Sequence, residues 1–313
     1  VPSVADIRER IDYQLQFRSE RRSRVEIAFF GGNFLGLPAR QSRRLLELAS
    51  EYVDRRRVDG IRFSTRPDTV DSERLATINA FPVTTVELGA QSMDNRVLAL
   101  VRRGHSAEDT AHAVQLLKST ACRIGLQLMV GLPGENEAGT LASARAAAAL
   151  NPDFVRIYPT LVIAGSGLGR RYAAGLYRPL TLEAAVRRVK AAFLIFRQRG
   201  AAVVRMGLQA SRELDDGVAL LAGPYHPAFA DLVMASLFLD AAVALLNRGF
   251  RRHGGLSLFV HPRCVSRMRG QKNANLKILQ KRFRIQSIRV QTDKTLAENM
   301  MRISGSPAVA VHG

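Results

Sequence analysis

Strand-length apolar runs alternate with helix-period segments over the first two thirds of the chain. This alternation restricts the possible folds more than any other feature. The strand candidates are Val25–Phe30, Gly60–Ser64, Thr84–Gly89, Arg123–Val130, Phe154–Tyr158 and Ala201–Leu208. The helix candidates fall between them. The first opens on a Ser3 cap with Asp6 three positions later, and repeats Ile7, Ile11 and Leu15. Others start at Pro38, Ser72, Asp94, Ala107, Thr140 and Leu182. A strict strand–helix rhythm reads as an α/β parallel sheet with right-handed crossovers. Simple alternation of this kind suits a (βα) barrel, or part of one, better than an open sheet. The series begins on a helix and the chain begins at Val1, so the reading is a partial barrel that lacks its first strand.

After about residue 210 the rhythm changes. Gly223-Pro224-Tyr225-His226-Pro227 breaks the chain. An apolar helix is expected over 229–246, then a strand at Leu256–Val260, a helix at Asn275–Phe283 and a strand at Ile285–Val290. The expected organisation is therefore a barrel domain over 1–210, a small basic α/β appendage over 211–303, and a disordered tail over 304–313. The formal net charge is +19. Between Arg248 and Arg302 there are 14 Lys or Arg against two acids, Asp293 and Glu298. Apolar residues interleave with these cations from Arg263 to Arg284, which predicts one cationic face and RNA as its partner. The charged run Arg18–Arg24 reads as a solvated helix end. Only Cys122 and Cys264 are present, so a disulfide framework is excluded and a reducing, cytoplasmic compartment is expected. No apolar run is read as long enough to cross a bilayer, and no membrane partner is expected.

The polar residues collect at strand ends. Val25–Phe30 closes in Gly31-Gly32-Asn33, and two glycines leave backbone groups open to a ligand. Asn33, Ser64, Arg66, Gln91 and Gln127 all lie on or just past the C-terminal half of a strand, where the mouth of a βα barrel forms. This set is nearly uncharged and rich in donors and acceptors, which suits an amino acid or a nucleoside. Paired carboxylates for acid–base work are not seen, nor is a Ser/Cys–His triad, and no catalytic residue is assigned. Arg66 has a structural alternative as the partner of Asp68 or Glu87, and Arg103 as a solvated helix-end cation. Gly165-Ser166-Gly167-Leu168-Gly169 resembles a dinucleotide loop but lies too far past its strand. His226 reads as a turn residue and Cys122 as a small buried hydrophobe.

Five segments in order carry a family resemblance: Gly31-Gly32-Asn33-Phe34, Ser64-Thr65-Arg66-Pro67-Asp68, Gly89-Ala90-Gln91-Ser92, Arg103-Gly104-His105 and Gly131-Leu132-Pro133. Together they resemble the radical S-adenosylmethionine superfamily. Tyr158-Pro159-Thr160-Leu161-Val162-Ile163, with Gly165, Gly167 and Leu168, is similar to the catalytic subunit of Elongator and its bacterial relatives. The resemblance covers roughly residues 3–210. It implies a barrel holding a [4Fe-4S] cluster and S-adenosylmethionine, an electron donor, and a 5′-deoxyadenosyl radical that takes hydrogen from a substrate. It implies that Gly31, Gly32 and Asn33 hold the methionine amino group. It places Gln91 near the ribose, Arg103 near the carboxylate, Gln127 and Met129 facing the cofactor, and Tyr158 and Leu161 near the adenine.

The chain departs from that family in its thiols. The cluster's three thiolates come from a cysteine loop after the first strand, and neither Cys122 nor Cys264 matches that place. The chain starts at the helix that follows the loop, and it carries no recognisable acetyltransferase domain. The expectation is a cofactor mouth without its cluster, inactive as it stands, whose parent modifies a substrate such as RNA. Two other readings are an oxygen-independent coproporphyrinogen oxidase relative, and a non-catalytic S-adenosylmethionine- or RNA-binding fragment.

Overall fold

The computed structural model describes residues 3–17, 24–209, 214, 216, 219–248 and 255–312. Residues 18–23 of the charged run lie outside the described residues. The chain divides into two compact units: Val1–Arg156 with Ala201–Val204, and Ile157–Gly200 with Arg205–Gly313. The boundary expected near residue 210 is therefore displaced, because the fifth and seventh strands each run through both units.

The first unit contains α1 (Val4–Leu15), β1 (Glu26–Phe29), α2 (Ala39–Asp54), β2 (Gly60–Thr65), α3 (Ser72–Asn79) and β3 (Val83–Gln91). It continues with α4 (Asn95–Leu100), α5 (Ala107–Leu117), β4 (Arg123–Val130), α6 (Glu137–Ala149) and the start of β5 (Phe154–Pro159). The sheet order is β1-β2-β3-β4-β5-β7, with β7 at Ala202–Met206. The β1–β2, β2–β3 and β3–β4 pairings are parallel. The expected α/β partial-barrel class holds, and β1 is an edge.

Local signals set the elements. Ser3 and Asp6 form a capping box on α1, and Asp71, Asp94, Ser106 and Asn136 cap α3 to α6. The outward faces of the strands carry Ile61, Phe63, Val86, Leu88, Leu126 and Leu128, all buried against the helices. Helix α1 differs, since none of its residues is buried. It is tied to α2 by polar contacts: Arg8 donates to both Glu51 oxygens at 2.8 and 2.6 Å, and Tyr52 Oη lies 3.2 Å from Asp12.

The second unit contains β6 (Val162–Ile163), α7 (Gly167–Ala173), α8 (Leu182–Gln198), β8 (Leu220–Ala222) and the apolar helix α9 (Phe229–Asn247). It ends in α10 (Val265–Arg269), α11 (Ala274–Phe283) and a four-stranded sheet ordered β10-β9-β11-β12. Those strands are β9 (Leu256–Val260), β10 (Ile288–Thr292), β11 (Met300–Ile303) and β12 (Val309–Ala310).

Two expectations are corrected here. The tail is not structureless, because β12 pairs with β11, Val311 is buried and the His312 ring meets Phe193 edge-on at 5.4 Å. Helix α9 is long and apolar enough by length and composition to cross a membrane. Half of its apolar window is buried inside the protein, and a core helix passes the same test. The Gly165–Gly169 loop proves structural: Ser166 caps α7, and a Cβ at Gly169 would lie 2.7 Å from the Ile163 carbonyl.

Candidate cofactor site

Strand alternation puts Arg62, Ser64, Glu87, Gly89, Gln127, Met129 and Arg156 on the face opposite the helix-packed apolar residues, and Gln91, past an irregularity in β3, meets Gln127 there. Towards the N-terminal ends of the strands this face is a closed ion network. Glu87, nearly fully buried, is bridged by Arg62 and by Arg156, whose Nε stands 2.7 Å from the carboxylate. Arg62 also reaches Glu26 at 3.2 Å. Phe30 lies against both guanidiniums, 5.6 Å from that of Arg62 and 5.8 Å from that of Arg156. In the sequence this network leaves no separate sign, beyond charges recurring at alternate strand positions.

Towards the C-terminal ends the expected residues gather. Asn33 is a hub: its Oδ1 accepts from Thr65 Oγ1 at 2.7 Å, the Arg66 amide at 3.0 Å and Thr69 Oγ1 at 3.0 Å. Asn33 therefore welds the end of β1 to the end of β2, a role the sequence did not disclose. Arg66 takes the structural alternative, bonding Asp68 at 2.9 and 2.5 Å and not Glu87. Its Nη2 also donates to the Gly104 carbonyl at 3.1 Å.

Gln91 and Arg103 meet over Gly89. A Cβ there would lie 2.8 Å from Gln91 Nε2 and 3.4 Å from Arg103 Nη2, so a side chain at this position would displace the Gln91 carboxamide. Gln127 Nε2 donates to Gln91 Oε1 at 3.3 Å, which leaves Gln91 Nε2 directed elsewhere. Arg103 is half-buried, its Nε has no hydrogen-bond partner and no carboxylate among the described residues pairs with it. Burial, and then the neighbouring Arg66, lower its pKa from the usual arginine range. His105, quoted in the sequence motif without a role, is buried, with Nε2 3.1 Å from the Ala90 carbonyl.

Gly31, Gly32, Asn33 and Ser64 line a cavity of about 800 Å³, walled on the other side by Ile7 and Ile11 of α1. A Cβ at Gly31 or Gly32 would meet nothing within 4 Å, so both face open space. Met129 is half-buried on β4. Tyr158 and Leu161 belong to the second unit, half-buried and buried respectively.

Comparison with known proteins decides the family. Residues 2–147 match the Radical SAM superfamily, and residues 152–238 match the Radical_SAM C-terminal domain. The chain belongs to the radical SAM superfamily. A tRNA uridine(34) acetyltransferase from Methanocaldococcus infernus is 31% identical over 202 residues, covering 57% of this chain and 37% of the relative. Human Elongator complex protein 3 is 27% identical over 191 residues, covering 55% of this chain and 35% of the relative. An archaeal Elp3 from Methanocaldococcus infernus, lacking its residues 1–46, shares the fold with a TM-score of 0.60 at 23% identity. That match covers 76% of this chain and 58% of the solved one. The chain thus spans well under two thirds of the length of these relatives.

Both groups that this superfamily implies can be tested against the residues present. S-adenosylmethionine fits: its carboxylate would find a desolvated guanidinium without an anion at Arg103, and its amino group the open glycine turn and Asn33. Among the described residues no group of three His, Cys, Asp or Glu could hold a metal ion. Cys122 is just before β4, at the N-terminal end of the sheet, its thiol 3.1 Å from the Val83 carbonyl. Cys264 is buried in the second unit, its thiol 3.0 Å from the Glu298 carbonyl. Burial raises the pKa of both thiols, which disfavours the thiolate that iron needs.

Proposed function

We propose that this chain carries the S-adenosylmethionine-binding part of an Elongator-type radical SAM enzyme and acts on RNA. The observation that carries the first half is Arg103, a half-buried cation beside Gly89 and Gln91 with no ion-pair partner among the described residues. Arg103 would take the methionine carboxylate. Gly31, Gly32 and Asn33 would take the amino group, and the Gln91 amide, oriented by Gln127, a ribose hydroxyl. The role proposed for these residues is to bind and orient the cofactor.

The RNA half rests on the second unit and on the relatives' names, which specify tRNA. Arg263, Arg267 and Arg302 are ion-paired with Glu298, Asp231 and Asp293. Lys272, Lys277, Lys281, Arg282 and Arg284, on or beside α11, are exposed or half-exposed and have no acidic partner among the described residues. The same names turn the choice away from the coproporphyrinogen oxidases.

Calorimetric titration with S-adenosylmethionine and filter binding of tRNA across a salt series test the two halves separately. Saturable binding of the nucleoside is expected. The RNA affinity should fall linearly on logarithmic axes, by about 0.7–0.9 per phosphate contacted. No heat with S-adenosylmethionine at millimolar concentration defeats the first half. No tRNA retained at low salt defeats the second.

A further inference from the structure

We propose that His105 is a positioning residue for the cofactor site, holding the Ala90 carbonyl and so the turn that aims the Gln91 carboxamide. The inference rests on the reading of this site as an S-adenosylmethionine site. It begins with a departure from strand geometry. Strand β3 pairs with β4 as far as Leu88↔Leu126, and pairing resumes at Gln91↔Leu128. Three steps along β3 thus match two along β4, a bulge that takes Gly89 and Ala90 out of the ladder.

Gln91 itself has φ of +64°, in the left-handed region that few residues other than glycine adopt. The Ser92 amide donates to the Ala90 carbonyl at 2.8 Å, closing a three-residue turn around Gln91. A turn of this size with positive φ at its centre is the rarer, strained hand. A glutamine persists in such a conformation only where its surroundings fix it.

The surroundings that fix it come from one tripeptide. Arg103 Nη2 is 3.5 Å from the Gly89 carbonyl, and His105 Nε2 is 3.1 Å from the Ala90 carbonyl. Gly104 between them has φ of +74°, and a Cβ there would lie 2.8 Å from Arg66 Nη2. The glycine therefore lets both flanking side chains reach consecutive carbonyls of the bulge. Of the two bonds the one from His105 is the shorter and fully buried.

The direction of that bond fixes the state of the ring. A carbonyl oxygen only accepts, so Nε2 carries the proton. Nδ1 is buried with no hydrogen-bond partner, so nothing there stabilises a second proton. Burial most of all, with the nearby Arg103 and Arg66, lowers the ring's pKa against the opposing pull of the Ala90 hydrogen bond and of Asp68. His105 is thus a neutral donor of a single tautomer, aimed at the one carbonyl that the turn of Gln91 also uses.

Calorimetry with S-adenosylmethionine on the full chain tests this, using His105→Gln, His105→Phe, Gln91→Ala and the His105→Phe/Gln91→Ala double variant. Gln keeps a donor where Nε2 stands, and Phe keeps the ring without the donor. His105→Phe should weaken binding about tenfold and His105→Gln should stay within about twofold of wild type, as for one buried hydrogen bond. If His105 acts through Gln91, the double variant binds no more weakly than Gln91→Ala alone. Wild-type affinity in His105→Phe, equal losses in Phe and Gln, or losses that multiply would each overturn the proposal. Long-range nitrogen–proton NMR on the wild type gives a readout independent of any ligand, and of whether a variant folds. It should show a neutral Nε2-protonated ring at pH 7, and an Nδ1 proton or a charged ring overturns the proposal. Failure of the wild type to bind S-adenosylmethionine defeats the reading of the site, while the ring spectrum still judges the bond to Ala90.

Discussion

The two ends of one sheet face handle charge in opposite ways. At the N-terminal end, Glu87 is bridged by Arg62 and Arg156, and Arg62 also holds Glu26. With Arg24, which reaches Glu26 at 3.4 Å, three cations meet two anions. At the C-terminal end, Arg66 is committed to Asp68, whereas Arg103 is half-buried with no ion-pair partner among the described residues. Desolvating a cation without a partner costs free energy, so a protein leaves one that way where a ligand supplies the counter-charge. The balanced end ties neighbouring strands together, and the unbalanced end is the one proposed to bind a ligand.

The largest test removes the balance. Glu87→Leu takes from Arg62 and Arg156 the buried carboxylate they share, leaving Arg62 with Glu26, and should cost about 3–5 kcal/mol in urea unfolding. A loss under about 1 kcal/mol would show that the network contributes little to the fold. Next, Arg103→Met removes the unbalanced cation. Stability should hold or rise slightly, while affinity for S-adenosylmethionine falls about 10–100-fold, the worth of a charge-assisted hydrogen bond. Equal affinity would break the contrast. The smallest effects come from two glycines. Gly104→Ala should cost about 1–2 kcal/mol, since its φ is positive and Arg66 occupies the space. Gly32→Ala should leave the melting temperature in place, because a Cβ there meets nothing in the protein. A large shift for Gly32→Ala would mean that the turn is a packing device and not a ligand contact.

The fold was legible because strand and helix periods are local. Ser3, Asp71 and Ser106 mark helix starts at the places the structure confirms. Gln91 and Gln127 were legible as strand-end polar groups, and Arg103 through the family resemblance. The Glu87 network was not, because its partners lie 25 and 69 residues away and meet only through strand register. Asn33 was named as a ligand contact, yet its three internal bonds depend on how β1 and β2 end side by side. His105 was visible as part of a motif, but its bond depends on a bulge that no periodicity announces. Strand β12 spans two residues, too few for alternation to register.

The edge at β1 has a consequence for handling the protein. One side of this strand has no hydrogen-bonded neighbour among the described residues, and Tyr13, Phe17 and Phe30 are each more than half exposed nearby in sequence. Unpaired strand edges beside bare aromatic rings are adhesive between molecules. The net charge of +19 works against this by keeping molecules apart. That repulsion reaches only about 10 Å at 0.1 M salt and about 3 Å at 1 M, whereas edge pairing is barely screened. Association between molecules is therefore expected to rise with ionic strength, which light scattering across a salt series checks.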